Sequence, residues 1–351
     1  MSVHRVDLIH CAGSLRLYRE HVHTPPADLP ESALCAALEA GWSLRAATLA
    51  YRPVGFGSHH WELTDTTGAR HFITVDDLRT RRTTTGEPLT AGYNRLRACL
   101  ATAQALRAAG RDFVVAPLPS RDGEPLAQLG DCFAVAVYPF VVGESFDWDN
   151  DTPEHRRAVL DLLVAVHAAP PEVRDHALPD DYVIPFRDTV TAALNGSDRG
   201  DPALGPYARP ASELLTAHAS GVRRALAGYD DLVAAARANP PGLVLTHGEP
   251  HPGNTMRSNG NWLLIDWDTA LVAPPERDLW GLDPGDGTLH AAYATATGTA
   301  LRPDLLDLYR LRWDLTEIAV CLARFREPHG TSADDEETWT ILSDLVKGTA
   351  D

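Results

Sequence analysis

Residues 243–280 read LVLTHGEPHPGNTMRSNGNWLLIDWDTALVAPPERDLW, and the spacing inside them decides the fold. Two short apolar runs, 243–245 and 262–265, are predicted buried strands. Between them lie His247, Gly248 and Glu249, with Asn254 five residues past the glutamate. Asp266 follows twelve residues later, where the second strand ends. Any one of these is an ordinary turn residue. A histidine, an acid, an asparagine and an aspartate in register between two strands are a pattern.

The pattern has a chemical reading. A protein-kinase catalytic loop has the form H-R-D-x-x-x-x-N, followed by a metal-binding D-F-G. His247, Glu249 and Asn254 keep that spacing, and Asp266-Trp267-Asp268 stands where D-F-G would. Phosphoryl transfer needs a carboxylate to orient or deprotonate the attacking hydroxyl, and hard oxygen ligands for Mg²⁺. Asn254 and Asp266, on adjacent strand ends, can supply an amide oxygen and a carboxylate.

With 351 residues the chain can bury two lobes. Its 44% hydrophobic and 23% charged residues suit a soluble globular protein. A formal net charge of −17 argues against nucleic acid or an anionic membrane as partner. It serves solubility, and would also attract a cationic small substrate. Five scattered cysteines without a C-x-x-C pair fit a reducing cytosol and offer no zinc site. No apolar run approaches membrane-spanning length and the N-terminus shows no secretion signal, so a cytoplasmic location is expected.

Residues 1–28 read as a polar leader carrying His4, His10, His21 and His23. A short helix over 30–40 stops at Gly41. Alternating runs 46–54 and 60–64 flank Gly55-Phe56-Gly57-Ser58, a hairpin whose tip can approach phosphates because glycine has no Cβ. A third strand covers 71–75, and an amphipathic helix covers 91–109. Strands over 113–118 and 132–137 precede a linker, Tyr138-Pro139-Phe140-Val141-Val142-Gly143. Thr152-Pro153-Glu154 starts a helix. Residues 170–210 are loop-rich around a short helix near 189–194, 211–238 is one long helical segment, and helices follow over 288–296, 304–326 and 337–346.

The motifs HGEPHPGN, IDWD and APPERDLW resemble the aminoglycoside phosphotransferase family, most closely its spectinomycin phosphotransferase-like branch. The likeness is specific over 243–280 and looser over the remainder beyond residue 28. It implies an α+β, two-lobed protein-kinase-like fold, with a small antiparallel β-sheet lobe (29–141) and a larger, mainly helical lobe (142–351). It implies ATP- or GTP-dependent, Mg²⁺-dependent O-phosphorylation of a small hydroxylated compound. Gly55, Gly57, Ser58 and Thr74 would then face the nucleotide, with adenine against Tyr138 and Phe140. Asn254 and Asp266 would hold Mg²⁺, Glu249 would be the base within a loop anchored by His247, and Asp278 would brace that loop.

Three residues depart from the family pattern. The base is normally aspartate; in Glu249 one extra methylene moves the carboxylate by roughly 1.5 Å, enough to require an adjusted loop. The phosphate-binding lysine of the third strand is replaced by Thr74. The helix over 91–109 holds no acid to pair with such a lysine. Arg79, Arg81 and Arg82 lie nearby and either supply phosphate-binding charge or are simply exposed.

For the acceptor, Asp268 and the late helix are candidates: Asp314 and Glu317 can share a face with Asp307, near Tyr309 and Trp313. Such a face suits an amino sugar or aminocyclitol, or is a solvated surface paired to Arg310 and Arg312. The Asp334–Glu337 run is a helix-start feature. The leading expectation is phosphorylation of an aminoglycoside-like antibiotic, conferring resistance or self-protection. One alternative places the acceptor on Ser or Thr of a biosynthetic peptide or on another natural product; another is a non-catalytic kinase-like partner protein.

Overall fold

The structure is a computed structural model describing residues 24–55, 57–147 and 151–349. The leader's four histidines and Phe56 lie outside the described residues. The chain forms two compact units. One comprises the described residues up to Val183 together with Leu232–Arg310; the other comprises Ile184–Asp231 and the described residues from Leu311 on.

The first unit opens with helix α1 (Glu31–Trp42) and continues into strands β1 (Ala46–Arg52), β2 (Ser58–Asp65) and β3 (Arg70–Asp77). Helix α2 (Leu89–Ala108) comes next, then β4 (Ala127–Leu129) and β5 (Phe133–Pro139). The five strands form one sheet in the order β1-β2-β3-β5-β4, antiparallel throughout. Strand alternation explains both of its faces. Trp61, Leu63, Ile73, Val75, Val135 and Val137 point to α1 and meet Leu34 and Leu38. Ala134 and Ala136 point the other way, where their small size admits Leu96 and Leu100 of α2. Each buried Leu, Ile or Val contributes about 1.5–3 kcal/mol.

The same helix α2 is apolar on a further side. Cys99, Ala103 and Leu106 pack with Val166, Leu245, Leu264, Trp267 and Ala270, so it ties the sheet to the 243–280 stretch. Helix α3 (Pro153–His167) is capped by the Thr152 side chain and packs against Leu279, Leu282 and Tyr293. Two small sheets complete the unit. Strands β6 (Glu144–Ser145), β9 (Thr255–Ser258) and β10 (Asn261–Leu264) form one; β7 (Leu178–Pro179), β8 (Val244–Thr246) and β11 (Leu271–Ala273) form the other.

The second unit holds helices Arg187–Leu194, Ala208–Ala217 and Ala333–Gly348, with the adjoining portions of Ala219–Ala238 and Pro303–Arg324. Tyr207 stacks on Trp339 at 5.5 Å, and its backbone N–H donates to His329 Nε2. Ser332 and Asp335 close a capping box at the start of the last helix.

The α+β class is as expected. Several element bounds are corrected. Helix α1 runs through Gly41 and stops at Ser43, which takes the left-handed conformation (φ 59°). Residues 113–118 are an extended segment rather than a strand, joined to Leu264 by one bridge at Val114. Tyr138 and Pro139 belong to β5, paired with Phe72 and His71, instead of opening a linker. The expected lobe boundary at 141–142 falls within the first unit. The segment 211–238 is two helices, interrupted at His218.

Candidate active site

Strand β8 delivers His247 into a loop that hydrogen bonds hold on every side. Asp278 is fully buried and spans the loop's start: Oδ2 accepts from His247 N (2.8 Å) and Oδ1 from Gly248 N (2.6 Å). His167 Nε2 donates to the same Oδ2 (3.0 Å), while its Nδ1 pairs with the Tyr293 hydroxyl (2.9 Å). Burial alone would raise the Asp278 carboxyl; the His167 hydrogen bond and neighbouring cations hold it below the usual range. Arg277 adds a second clamp, donating to Thr246 Oγ1 (2.9 Å) and to the Thr269 carbonyl (2.8 Å). Gly248 is required here: its φ is 104°, and a Cβ would lie 2.5 Å from the Arg277 guanidinium.

His247 is neutral, because desolvation lowers its pKa. Its Nε2–H donates to the Ile265 carbonyl (2.9 Å), and Nδ1 accepts from Glu249 N (3.3 Å), which fixes the tautomer. Asn254 closes the loop: its Nδ2 donates to the Glu249 carbonyl (2.9 Å), and its own carbonyl accepts from Ile265 N (2.9 Å). Asn254 therefore links the Glu249 backbone, through its side-chain amide, to the strand end before Asp266, through its main-chain carbonyl, leaving its Oδ1 for a ligand.

Glu249, Asp266 and Asp268 share one electrostatic neighbourhood. Desolvation, then the Asp268 charge, push Glu249 up to about 7. Asp266 takes a left-handed backbone (φ 61°) and is open to solvent; crowding by the surrounding chain, Asp268 and Glu249 raises its carboxyl well above the ordinary range. Asp268 stays ionised: burial opposes this, but Arg81 offsets it with Nη1 2.6 Å from Oδ2. Arg81 Nη2 also lies 2.5 Å from Asp76 Oδ1 and 3.1 Å from Ser58 Oγ. Ser58 itself donates to Asp76 (2.8 Å).

The structure thus gathers Ser58 at the hairpin, Asp76 at the end of β3, Arg81, Glu249, Asn254, Asp266 and Asp268. Gly55 and Gly57, both with positive φ, are exposed beside Ser58. Thr74 is on the same face of β3 as Asp76, its hydroxyl 3.3 Å from His60 Nδ1. Tyr138 is half-buried and lies within the field of Asp76, Asp266 and Asp268. Phe140 is covered by the Arg70 guanidinium at 3.6 Å. Helical spacing predicts Tyr309 on an open acceptor face, and the structure does not place it there. It is buried, with its hydroxyl donating to Asp180 (2.9 Å). Asp314 and Glu317 belong to the second unit and are half-buried. Asp268 is engaged by Arg81.

Sequence reasoning passed over the His167–Tyr293 support and the clamp of Arg277, which carry no local signature. It also treated Arg79, Arg81 and Arg82 alike, although the alternation of β3 places Asp76 beside Thr74. The Asn259-Gly260 turn between β9 and β10 had a clear signal, an Asn-Gly pair with φ of 50° and 81°.

An acid, an amide oxygen and an open carboxylate are gathered beside Arg81, which reaches Ser58 at the glycine hairpin, an arrangement suited to phosphoryl transfer. Comparison with known proteins agrees. The sequence profile of the Phosphotransferase enzyme family matches residues 58–333. Protein StrN of Streptomyces griseus is 36% identical over 248 residues, spanning 68% of this chain and 73% of that protein. The structure of spectinomycin phosphotransferase in complex with ADP and spectinomycin superposes with a TM-score of 0.65 at 16% identity, covering 91% of this chain and 97% of the other. An amicoumacin kinase in complex with AMP-PNP and Ca²⁺ gives 0.58 at 13% identity, covering 92% and 93%. The chain belongs to the Phosphotransferase enzyme family: it is an enzyme that moves a phosphoryl group onto an alcohol. No helix among the described residues is long and apolar enough to cross a membrane.

Proposed function

We propose that the chain transfers the γ-phosphoryl group of ATP, with Mg²⁺, to a hydroxyl of a small cationic natural product of the aminocyclitol or aminoglycoside type. The observation that carries the chemistry is the tether of Glu249, Asn254 and Ile265–Asp266 by two hydrogen bonds of 2.9 Å. The acceptor class is supported by the relatives, one of which is a spectinomycin phosphotransferase. The acidic balance of the chain points the same way.

The residues fit a magnesium ion. Among the described residues no three His, Cys, Asp or Glu side chains form a complete metal cage. Mg²⁺ needs none, since it takes one or two carboxylates and fills its octahedron with water and phosphate oxygens. The raised carboxyl of Asp266, crowded by two other acids, marks an excess of negative charge that a divalent cation offsets. Asp266 and the Asn254 Oδ1 would hold the ion. When bound, it neutralises charge on the phosphates. Glu249 orients the acceptor hydroxyl and takes its proton as the new O–P bond forms and the bond from the γ-phosphorus to the β,γ-bridging oxygen breaks, that oxygen leaving with ADP. Asp278, His167 and Arg277 hold the loop, so that Glu249 keeps its position during transfer.

The test is ADP release across aminocyclitols, aminoglycosides, macrolides, choline and Ser/Thr peptides, with and without Mg²⁺. Saturable turnover on an aminocyclitol or aminoglycoside, abolished by EDTA, is expected. Turnover confined to peptides or to uncharged alcohols would overturn the acceptor class; metal-independent turnover would overturn the role of Mg²⁺.

A further inference from the structure

The third strand carries Thr74 where the resemblance implies a phosphate-binding lysine, and α2 offers no acid to pair with one. A nucleotide triphosphate still needs a cation besides the metal. Three arginines follow the strand, and the structure separates them. Arg79 is exposed and occupied by Asp77 and Asp28. Arg82 donates to the carbonyls of Arg79 and Thr85. Arg81 reaches the cluster of acids around Glu249 and Asp266.

We propose that Arg81, held by Asp76, is the cation that grips the nucleotide phosphates, replacing the missing lysine–acid pair with an arginine–aspartate pair. The inference rests on the nucleotide reading above and adds the residue that makes it workable. Four observations carry it. First, Asp76 is two residues past Thr74 on the same face of β3, so the acid of the new pair comes from the strand itself. Second, the pair is joined to the glycine hairpin, because Ser58 donates to Asp76 and Arg81 Nη2 reaches Ser58. The cation is thereby fixed beneath the glycines that can approach phosphates.

Third, Nη1 is 2.6 Å from Asp268, which places the guanidinium next to the metal-binding Asp266. The planar fork of arginine lets one side chain serve an acid and an anion at once, which a lysine ammonium does less well. Fourth, Arg81 Nε–H is buried and has no hydrogen-bond partner among the described residues. Buried donors are normally paired, so the described residues leave this one unsatisfied, a shortfall that reorientation of the guanidinium toward a ligand oxygen would make good. Helix α2 contributes in another way than by an acid. Gly92 leaves room for the Arg81 backbone, since a Cβ would lie 3.0 Å from its carbonyl oxygen, and Arg95 donates to that oxygen (2.7 Å).

The test compares the Kd of ADP with that of adenosine by titration calorimetry for wild type, Arg81→Gln, Arg81→Lys and Arg79→Gln. Removing one charge-assisted contact to the phosphates should weaken ADP about tenfold to a hundredfold and leave adenosine within twofold. Arg81→Lys should recover part of the loss, and Arg79→Gln, which removes a neighbouring charge already occupied by Asp77 and Asp28, should change neither ligand. Equal weakening of ADP and adenosine would make Arg81 a structural residue and overturn the inference, as would unchanged ADP binding in Arg81→Gln. A wild-type protein that binds adenosine and ADP equally would also overturn it. A wild-type protein that binds neither would fail the nucleotide reading itself, and this inference with it.

Discussion

Replacing Asp278 by asparagine tests whether the catalytic loop depends on one buried carboxylate. Its two oxygens accept three hydrogen bonds, from His247 N and His167 Nε2 at Oδ2 and from Gly248 N at Oδ1. An amide of the same shape keeps only one acceptor. The less costly orientation turns the NH₂ toward Gly248, which loses one bond to a charged acceptor and sets the amide against a single donor. That costs about 2–4 kcal/mol, because a bond to a charge is worth about 1.5–3 and an unmatched buried donor adds to it. The other orientation opposes two donors and costs more. Gly248 immediately precedes Glu249, so relief of the clash would shift the base; about 1 Å of displacement costs on the order of a hundredfold in kcat. Urea unfolding followed by tryptophan fluorescence, with ADP release for kcat, measures both. A variant within about 0.5 kcal/mol of wild type and within threefold in kcat would refute the bracing role.

Four further outcomes follow from the same geometry. Glu249→Gln should lower kcat by about 10²–10⁴ with ADP affinity unchanged in calorimetry, and Glu249→Asp by about a hundredfold, because loss of one methylene draws the carboxylate back by roughly 1.5 Å. Glu249 is pushed up to about 7 and must be ionised to accept a proton, so kcat/KM should rise as pH climbs through about 7 and level off above it. A flat profile from pH 5 to 8 would contradict that assignment. Asp266→Ala should remove the strengthening of ADP binding by Mg²⁺, read as equal Kd values with and without the metal. Gly248→Ala forces a side chain into a left-handed backbone against Arg277 and should cost about 1–3 kcal/mol in urea unfolding.

Much of this was determined by the chain's local order. The intervals from His247 through Glu249 and Asn254 to Asp266 are fixed by two strands and one loop, so they survive in sequence as countable spacings. The alternation of β2 and β3 and the apolar stripe of α2 are local too. The element ends were less legible, because they depend on partners: Tyr138 joins β5 since Phe72 is across from it, whereas a single bridge, Val114 to Leu264, is all the strand pairing that 113–118 makes among the described residues. The tertiary structure alone decided which of three neighbouring arginines pairs with Asp76 and Asp268, since their local sequences are equivalent. It likewise decided that Tyr309 is spent on Asp180, and that His167, more than a hundred positions from Asp278, supports the loop. Charge and hydrogen-bond pairing act through space over a few ångströms, and no interval along the chain encodes them.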